Sequence, residues 1–238
     1  MMRALTTIGF DADDTLWQNE RYFALTQDHF ADLLSDHTDK DHLMDRLLAS
    51  ERRNLPHYGF GIKGFTLSMI ETAIEVTDGR VPASVIAKVL AAGREMLSHE
   101  VELLPHARTV LNGLKGAYTL VLITKGDLMD QERKIAQSGL RDVFDAIEIL
   151  SQKTPVEYTD IFARHGDGAQ RGMMVGNAMA SDVLPMIAAG GWGTYVPHGL
   201  TWAVEHGDIP DDTRFAEIAD LGALPGLIDE IQAGEMPK

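Results

Sequence analysis

Cysteine is absent from the 238 residues, which excludes a disulfide framework, a thiolate nucleophile and a cysteine-ligated zinc site. Basic residues are scarce: 21 Lys and Arg stand against 36 Asp and Glu, a formal charge of -15. With no basic patch along the chain, that balance works against nucleic acid or an anionic membrane surface as a partner. No stretch reaches the ~18 consecutive apolar residues of a membrane span, and the apolar run behind Arg3 meets Asp11 too soon for a signal-peptide core. The lack of cysteine and of such segments sets the expectation of a cytoplasmic protein. Internal repeats, low-complexity tracts and interdomain linkers are also missing, so tandem independent domains are not expected. An acidic chain of this kind needs a local positive centre to hold a small anionic substrate, either a bound metal ion or a few focused lysines.

What is present begins with a short β-branched run, Thr6-Thr7-Ile8-Gly9-Phe10, that leads directly into Asp11-Ala12-Asp13-Asp14-Thr15-Leu16. Alternate carboxylates at the end of a buried strand belong where open α/β sheets place their chemistry. Taken alone, the same residues equally suit a turn or a helix N-terminus, which favours Asp.

From about residue 20 to 99 the chain lacks a convincing strand and shows apolar residues at helical spacing: Tyr22, Leu25, Phe30, Leu33 and Leu34, then Leu43, Leu47 and Leu48, then Phe65, Met69, Ile70, Ala73 and Ile74, then Val85, Ile86, Val89, Leu90 and Leu97. This reads as about four helices, punctuated at Asn54-Leu55-Pro56, at Gly59, Gly61 and Gly64, and at Asp78-Gly79-Arg80-Val81-Pro82. Past Pro105 helix and strand alternate. Strands are expected at 118–123, 146–150, 173–176 and 193–196, with helices at 107–115, 129–138, 156–165, 182–189 and 221–231. The fold class is therefore α/β, a doubly wound parallel sheet of five strands with an inserted helical bundle. The expected division is a core of residues 1–16 and 101–238 and a helical insertion of residues 17–100.

Crossovers in such a sheet bring all carboxyl ends to one edge. Asp11 and Asp13 follow the first strand, Thr124-Lys125-Gly126-Asp127 the second, Ser151-Gln152-Lys153-Thr154-Pro155 the third, and Asn177-Ala178-Met179-Ala180-Ser181-Asp182 the fourth. Carboxylates, a hydroxyl, an amide and a lysine gathered at one edge are what displacement at phosphorus requires. They supply a carboxylate nucleophile, a second carboxyl for proton transfer, oxygen ligands for a divalent cation, and cationic or hydrogen-bonding groups for the phosphoryl oxygens.

These residues resemble the haloacid dehalogenase superfamily of phosphohydrolases, with four motifs in order between the first strand and about Gly190. Phe10-Asp11 with Asp13, Thr15 and Leu16 looks like the first motif, Leu122-Ile123-Thr124 the second, Lys153 with Pro155 the third, and Gly176-Asn177 with Ser181-Asp182 the fourth. The helical block between the first two motifs is similar to the family's small helical cap. The resemblance implies that Asp11 attacks phosphorus to form an aspartyl-phosphate, and that Asp13 protonates the leaving oxygen and then activates water. It implies that Thr124 and Lys153 hold the phosphoryl oxygens, and that Mg²⁺ is bound by Asp11, Asp182 and the backbone carbonyl of Asp13. Asn177 stands where family phosphatases usually carry Asp, so it is expected to reach the metal through its amide oxygen or a metal-bound water. An acid at position 13 favours ester hydrolysis over carbon–halogen cleavage. Phosphomutase, a non-catalytic phosphometabolite-binding protein and 2-haloacid dehalogenase remain as alternatives.

Substrate contacts are less defined. Lys125 beside Thr124, and Tyr58 and Lys63 in the glycine-rich aromatic turn from His57 to Phe65, are candidates to meet a small phosphorylated metabolite. That turn equally suits a plain interhelical connection with Phe60 and Phe65 buried.

Overall fold

The computed structural model describes residues 4–234; the expected core bounds extend to residues 1–3 and 235–238, which lie outside the described residues. By contact the chain divides into two units. One runs to Glu20, takes in Val101–Lys125 and resumes at Gln131. The other comprises Arg21–Glu100 together with Gly126–Asp130. Among the described residues no helix is long and apolar enough to cross a membrane.

The first unit is built on six parallel strands: β1 Thr7–Phe10, β2 Thr119–Lys125, β3 Ala146–Leu150, β4 Gly172–Gly176, β5 Trp192–Tyr195 and β6 Phe215–Glu217, in the order β3-β2-β1-β4-β5-β6. The sixth strand corrects the expected five. Its three residues, Phe215-Ala216-Glu217, are too few for any periodicity, and it exists because Gly193, Thr194 and Tyr195 offer it an edge. The strands β1 and β4 are buried along their whole length and carry almost no polar side chains, as expected for parallel strands covered on both faces.

Side-chain alternation sorts the sheet's two faces. Ile8, Phe10, Leu120, Leu122, Met173 and Val175 join one apolar cluster with α5 (Ala107–Leu114) and α9 (Leu224–Ala233). Val121, Ile123 and Met174 face the other way, onto Tyr158, Ile161 and Phe162 of α7 (Pro155–His165) and Met186 of α8 (Leu184–Ala188). On this second face a Cβ at Gly9 would stand 2.8 Å from Ile123 Cδ1 and 3.1 Å from Phe162 Cζ. The helix therefore packs directly on the β1 backbone.

Strand β1 pairs with β2 on one side and with β4 on the other. Chain order reverses across β1 and β4, which opens a crevice at their carboxyl ends, the position where open α/β sheets bind ligands.

The second unit holds α1 (Glu20–Leu33), most of which lies in it, α2 (Lys40–Tyr58), α3 (Ile62–Val76) and α4 (Ala83–Met96). Its core is Phe30, Leu34, Leu43, Leu47, Phe65, Met69, Ala73, Val89 and Met96, the same stripe that the helical spacing marks. Asp39 caps α2 by accepting from the His42 backbone N–H at 3.0 Å. The helix does not stop at Asn54-Leu55-Pro56 but continues to Tyr58. Pro56 falls in its last turn, where a missing N–H disturbs little of the hydrogen-bond ladder.

Candidate active site

Asp11 extends β1 by one residue, its N–H donating to Val175 O at 2.9 Å. The chain then turns sharply. The Ala12 carbonyl accepts from Thr15, Leu16 and Trp17 N–H groups at 2.8–3.3 Å, and Asp14 takes a left-handed conformation at φ 60°. Asp and Asn tolerate that region better than most residues. Asp14 also accepts from the backbone N–H groups of Asn19 and Glu20 at 2.9–3.0 Å, which secures the exit of the turn. Burial pushes its carboxyl up to about 6 against these hydrogen bonds and the nearby His198.

The turn delivers Asp11 to a buried cluster. Lys153 Nζ lies 2.5 Å from Asp11 Oδ1 and 2.6 Å from Asp182 Oδ1. The Lys153 side chain is 1% exposed and that of Asp182 is fully enclosed. Thr15 Oγ1 stands 3.2 Å from both Asp11 Oδ2 and Asn177 Oδ1, and accepts from the Asn177 backbone N–H at 3.1 Å. Asp182 is aimed by one π-helical turn, Met179–Val183, that follows β4. Its Oδ2 accepts from the Ala178 N–H at 2.9 Å, and its carboxylate lies so close over Gly176 that a Cβ there would meet Oδ2 at 2.2 Å.

Two carboxylates therefore share one ammonium in a buried space. Burial and the Asp182 charge push the Asp11 carboxyl up to about 7 even though Lys153 opposes the shift. Burial lowers the affinity of Lys153 for its proton, but the charges of Asp11 and Asp182 outweigh it and hold the amine above its ordinary value. Thr124 is buried at the carboxyl end of β2, in register with Ile149 of β3. The sheet brings Asp11, Thr124, Lys153, Asn177 and Asp182 to one edge.

Asp13 is held by donors of its own. Its carboxylate accepts from Trp17 Nε1 at 2.7 Å, from Gln131 Nε2 at 2.8 Å and from Lys134 Nζ at 2.7 Å to each oxygen. Burial pushes this carboxyl up, but the Lys134 charge and the three donors more than reverse it, so Asp13 lies below the usual carboxylate range.

Lys125 is held by Glu205. The same carboxylate accepts from Ser181 Oγ at 2.7 Å, and the Glu205 carbonyl accepts from Ala180 N–H at 3.2 Å. In the helical unit Tyr58 is exposed, and Lys63 Nζ lies 2.9 Å from both oxygens of Asp127. Phe65 is buried and packs against Phe23 with ring centroids 4.9 Å apart.

The spacing arguments do not reach several residues that shape the site. Lys134 and Gln131 lie on α6 (Leu128–Ser138) among other polar residues, and their three-residue separation on one helix face is the only sequence signal. Glu205 lies in an aperiodic segment and carries no signal. Thr15 and Trp17 are within reach of motif reading, but only contacts assign them their partners.

The oxygen donors at this edge, the carboxylates of Asp11 and Asp182 and the Asn177 amide oxygen, suit a hard cation such as Mg²⁺. With both carboxylates ionised, Asp11, Asp182 and Lys153 together carry one uncompensated buried negative charge, which a divalent cation would relieve. Among the described residues no three His, Cys, Asp or Glu side chains form a metal cage. Mg²⁺ ordinarily keeps several waters and takes few protein ligands, which a set of this size could supply.

The sequence profile described as haloacid dehalogenase-like hydrolase matches residues 5–190. No curated protein sequence matches the chain. Among solved structures, a haloacid dehalogenase-like family hydrolase from Xanthomonas campestris is 41% identical over 97% of this chain and 93% of its own, with a TM-score of 0.88. A predicted phosphoglycolate phosphatase from Haemophilus somnus 129PT is 15% identical over 95% of this chain and 99% of its own, with a TM-score of 0.64. A 2-haloacid dehalogenase from Pseudomonas syringae pv. tomato DC3000 is 19% identical over 95% of this chain and 99% of its own, with a TM-score of 0.59. The last two share the fold with this chain. The four strand-end motifs, the parallel sheet that gathers them and the matching profile together place this protein among the haloacid dehalogenase-like hydrolases.

Proposed function

We propose that the chain is a Mg²⁺-assisted phosphatase that hydrolyses a small-molecule phosphate monoester through an aspartyl-phosphate on Asp11. The observation that carries this reading is a second carboxylate, Asp13, held at the same sheet edge as the Asp11–Lys153–Asp182 cluster but by different donors. Displacement of a halide needs one attacking carboxylate and no proton for the leaving group. Cleavage of a phosphate ester needs a proton delivered to the leaving oxygen and later withdrawn from water. A site with two separately supported carboxylates suits the second chemistry.

Asp11 supplies the attacking oxygen. Its bond to phosphorus forms as the ester P–O bond breaks, and the departing oxygen takes a proton from Asp13. Asp13 then accepts a proton from water, whose oxygen bonds to phosphorus as the Asp11 O–P bond breaks, releasing phosphate. Lys153 and the Thr124 hydroxyl hold the phosphoryl oxygens and neutralise the charge that collects on them. Asp11, Asp182, the Asp13 carbonyl and Asn177 would hold Mg²⁺, which when bound supplies Lewis-acid charge neutralisation at the phosphoryl group. With Lys125 bound by Glu205 and Lys63 by Asp127, substrate contact by either lysine requires exchange of its carboxylate partner. The overall charge of -15 works against nucleic acid or a membrane surface as partner, and the proposed partner is a small phosphorylated metabolite in the cytoplasm, its charge offset locally by Lys153 and a bound cation.

A phosphate-release screen over sugar phosphates, nucleotides, phosphoglycolate and flavin mononucleotide, with and without Mg²⁺, tests the reading against Asp11→Asn. Turnover that depends on Mg²⁺ and falls in the variant below about one part in a hundred supports it. Chloride release from 2-chloropropionate with no phosphate release would make the chain a dehalogenase instead.

A further inference from the structure

The grip on Asp13 goes beyond what a half-buried carboxylate needs for neutralisation. One ammonium, Lys134 Nζ, meets both oxygens at 2.7 Å, and a separate neutral donor is added to each, Trp17 Nε1 at 2.7 Å to Oδ1 and Gln131 Nε2 at 2.8 Å to Oδ2. The donors are themselves fixed. Gln131 Nε2 also donates to the Lys125 carbonyl at 2.9 Å, which settles the orientation of its amide, and Lys134 Nζ lies 3.3 Å from Asn19 Oδ1. The Trp17 ring is fully buried, and its backbone carbonyl accepts from the Asp14 N–H at 2.7 Å. Residues 131 and 134 are three apart on α6, so both project from one side of the helix.

A carboxylate held by donors on both oxygens has little freedom about its terminal torsion, which is otherwise broad. We infer that Lys134 is a positioning residue. With Gln131 and Trp17 it sets the direction of the Asp13 carboxylate, and through it the proton transfer to the leaving oxygen. The inference rests on the phosphatase reading, in which Asp13 serves that oxygen. Positioning of this kind matters most when the leaving group depends on proton transfer, and least when the group departs readily as an anion.

Steady-state kinetics on phenyl phosphate and p-nitrophenyl phosphate at saturating Mg²⁺ separate these cases, because the two esters differ in leaving group and share the phosphoryl group. Lys134→Met is expected to lower kcat on phenyl phosphate roughly 10–100-fold with KM within about threefold, and to lower kcat on p-nitrophenyl phosphate less than about threefold. Lys134→Arg, whose guanidinium can also grip both oxygens, should recover part of the loss. Trp17→Phe removes one donor while keeping most of the ring's packing, so it repeats the test if Lys134→Met does not fold. Its loss should be smaller and carry the same leaving-group signature. An equal loss on both esters, or none, overturns the assignment and leaves the phosphatase reading intact. A wild-type chain that releases no phosphate from either ester overturns the phosphatase reading, and this inference with it.

Discussion

Replacing Asp11 by Asn should abolish turnover and, in the metal-free protein, raise stability. Burial and the Asp182 charge lift the Asp11 carboxyl from an ordinary 3.8 to about 7. Between those values the unfolded chain has released the proton and the folded chain still holds it. The contribution of Asp11 to stability is therefore fully present below pH 4, is lost as pH rises toward 7, and stays lost above it. A shift of about three pKa units at ~1.36 kcal/mol each sets an upper bound near 4 kcal/mol for the cost of ionised Asp11 at pH 8. Removing the charge also takes from Lys153 one of its two carboxylates, so the net gain should be nearer 2 kcal/mol, or roughly 4–8 °C for a chain of this size. Thermal melts of wild type and variant in EDTA from pH 4 to pH 8 measure the difference, which should grow with pH and level off above 7. Adding Mg²⁺ should then stabilise wild type more than the variant and narrow the gap. A variant that is no more stable at pH 8 than at pH 4, relative to wild type, would refute the claim that burial and the Asp182 charge lift the Asp11 carboxyl in this site.

The close approach of Asp182 to the β4 backbone makes Gly176→Ala a sharp test. The added Cβ would lie 2.2 Å from Asp182 Oδ2, so the carboxylate must leave its place beside Lys153, and phosphate release should fall at least ~100-fold while circular dichroism keeps the native helix content. Glu205→Ala should leave the Lys125 ammonium and the Ser181 hydroxyl without their shared acceptor, costing about 1–3 kcal/mol in urea unfolding. The same variant should speed tryptic cleavage at Arg214, because the 197–214 segment loses the side-chain contacts of Glu205 to Lys125 and Ser181. A Glu205 variant as stable and protease-resistant as wild type would show that this network contributes nothing to holding the segment.

The strand-end residues were legible because each follows a strong local signal. The run ending at Phe10, the apolar stretch before Thr124, the Lys153–Pro155 pair ahead of a helix and the Gly176-Asn177 turn all mark places where a strand hands over to a loop. The four helices of residues 20–96 were equally legible, since their apolar residues keep the helical period. Pro56 reads as a break, yet near a helix end it costs one hydrogen bond and the helix absorbs it. The sixth strand is not legible in the sequence because β6 is defined by its neighbour β5 and not by its own residues.

Chemical identity and chain order, which local sequence carries, were enough to specify an α/β hydrolase with an inserted helical bundle and to name Asp11, Asp13, Thr124, Lys153, Asn177 and Asp182 as its polar edge. Pairing was decided only by the tertiary structure. Lys153 meets two carboxylates, Lys125 meets Glu205 some eighty residues away, and Asp13 meets a lysine more than a hundred residues downstream. Side-chain periodicity reports which face of an element is buried, but not which distant charge lies opposite. In a buried, low-dielectric site that opposite charge determines whether a carboxylate is pushed up, as Asp11 is, or held down, as Asp13 is.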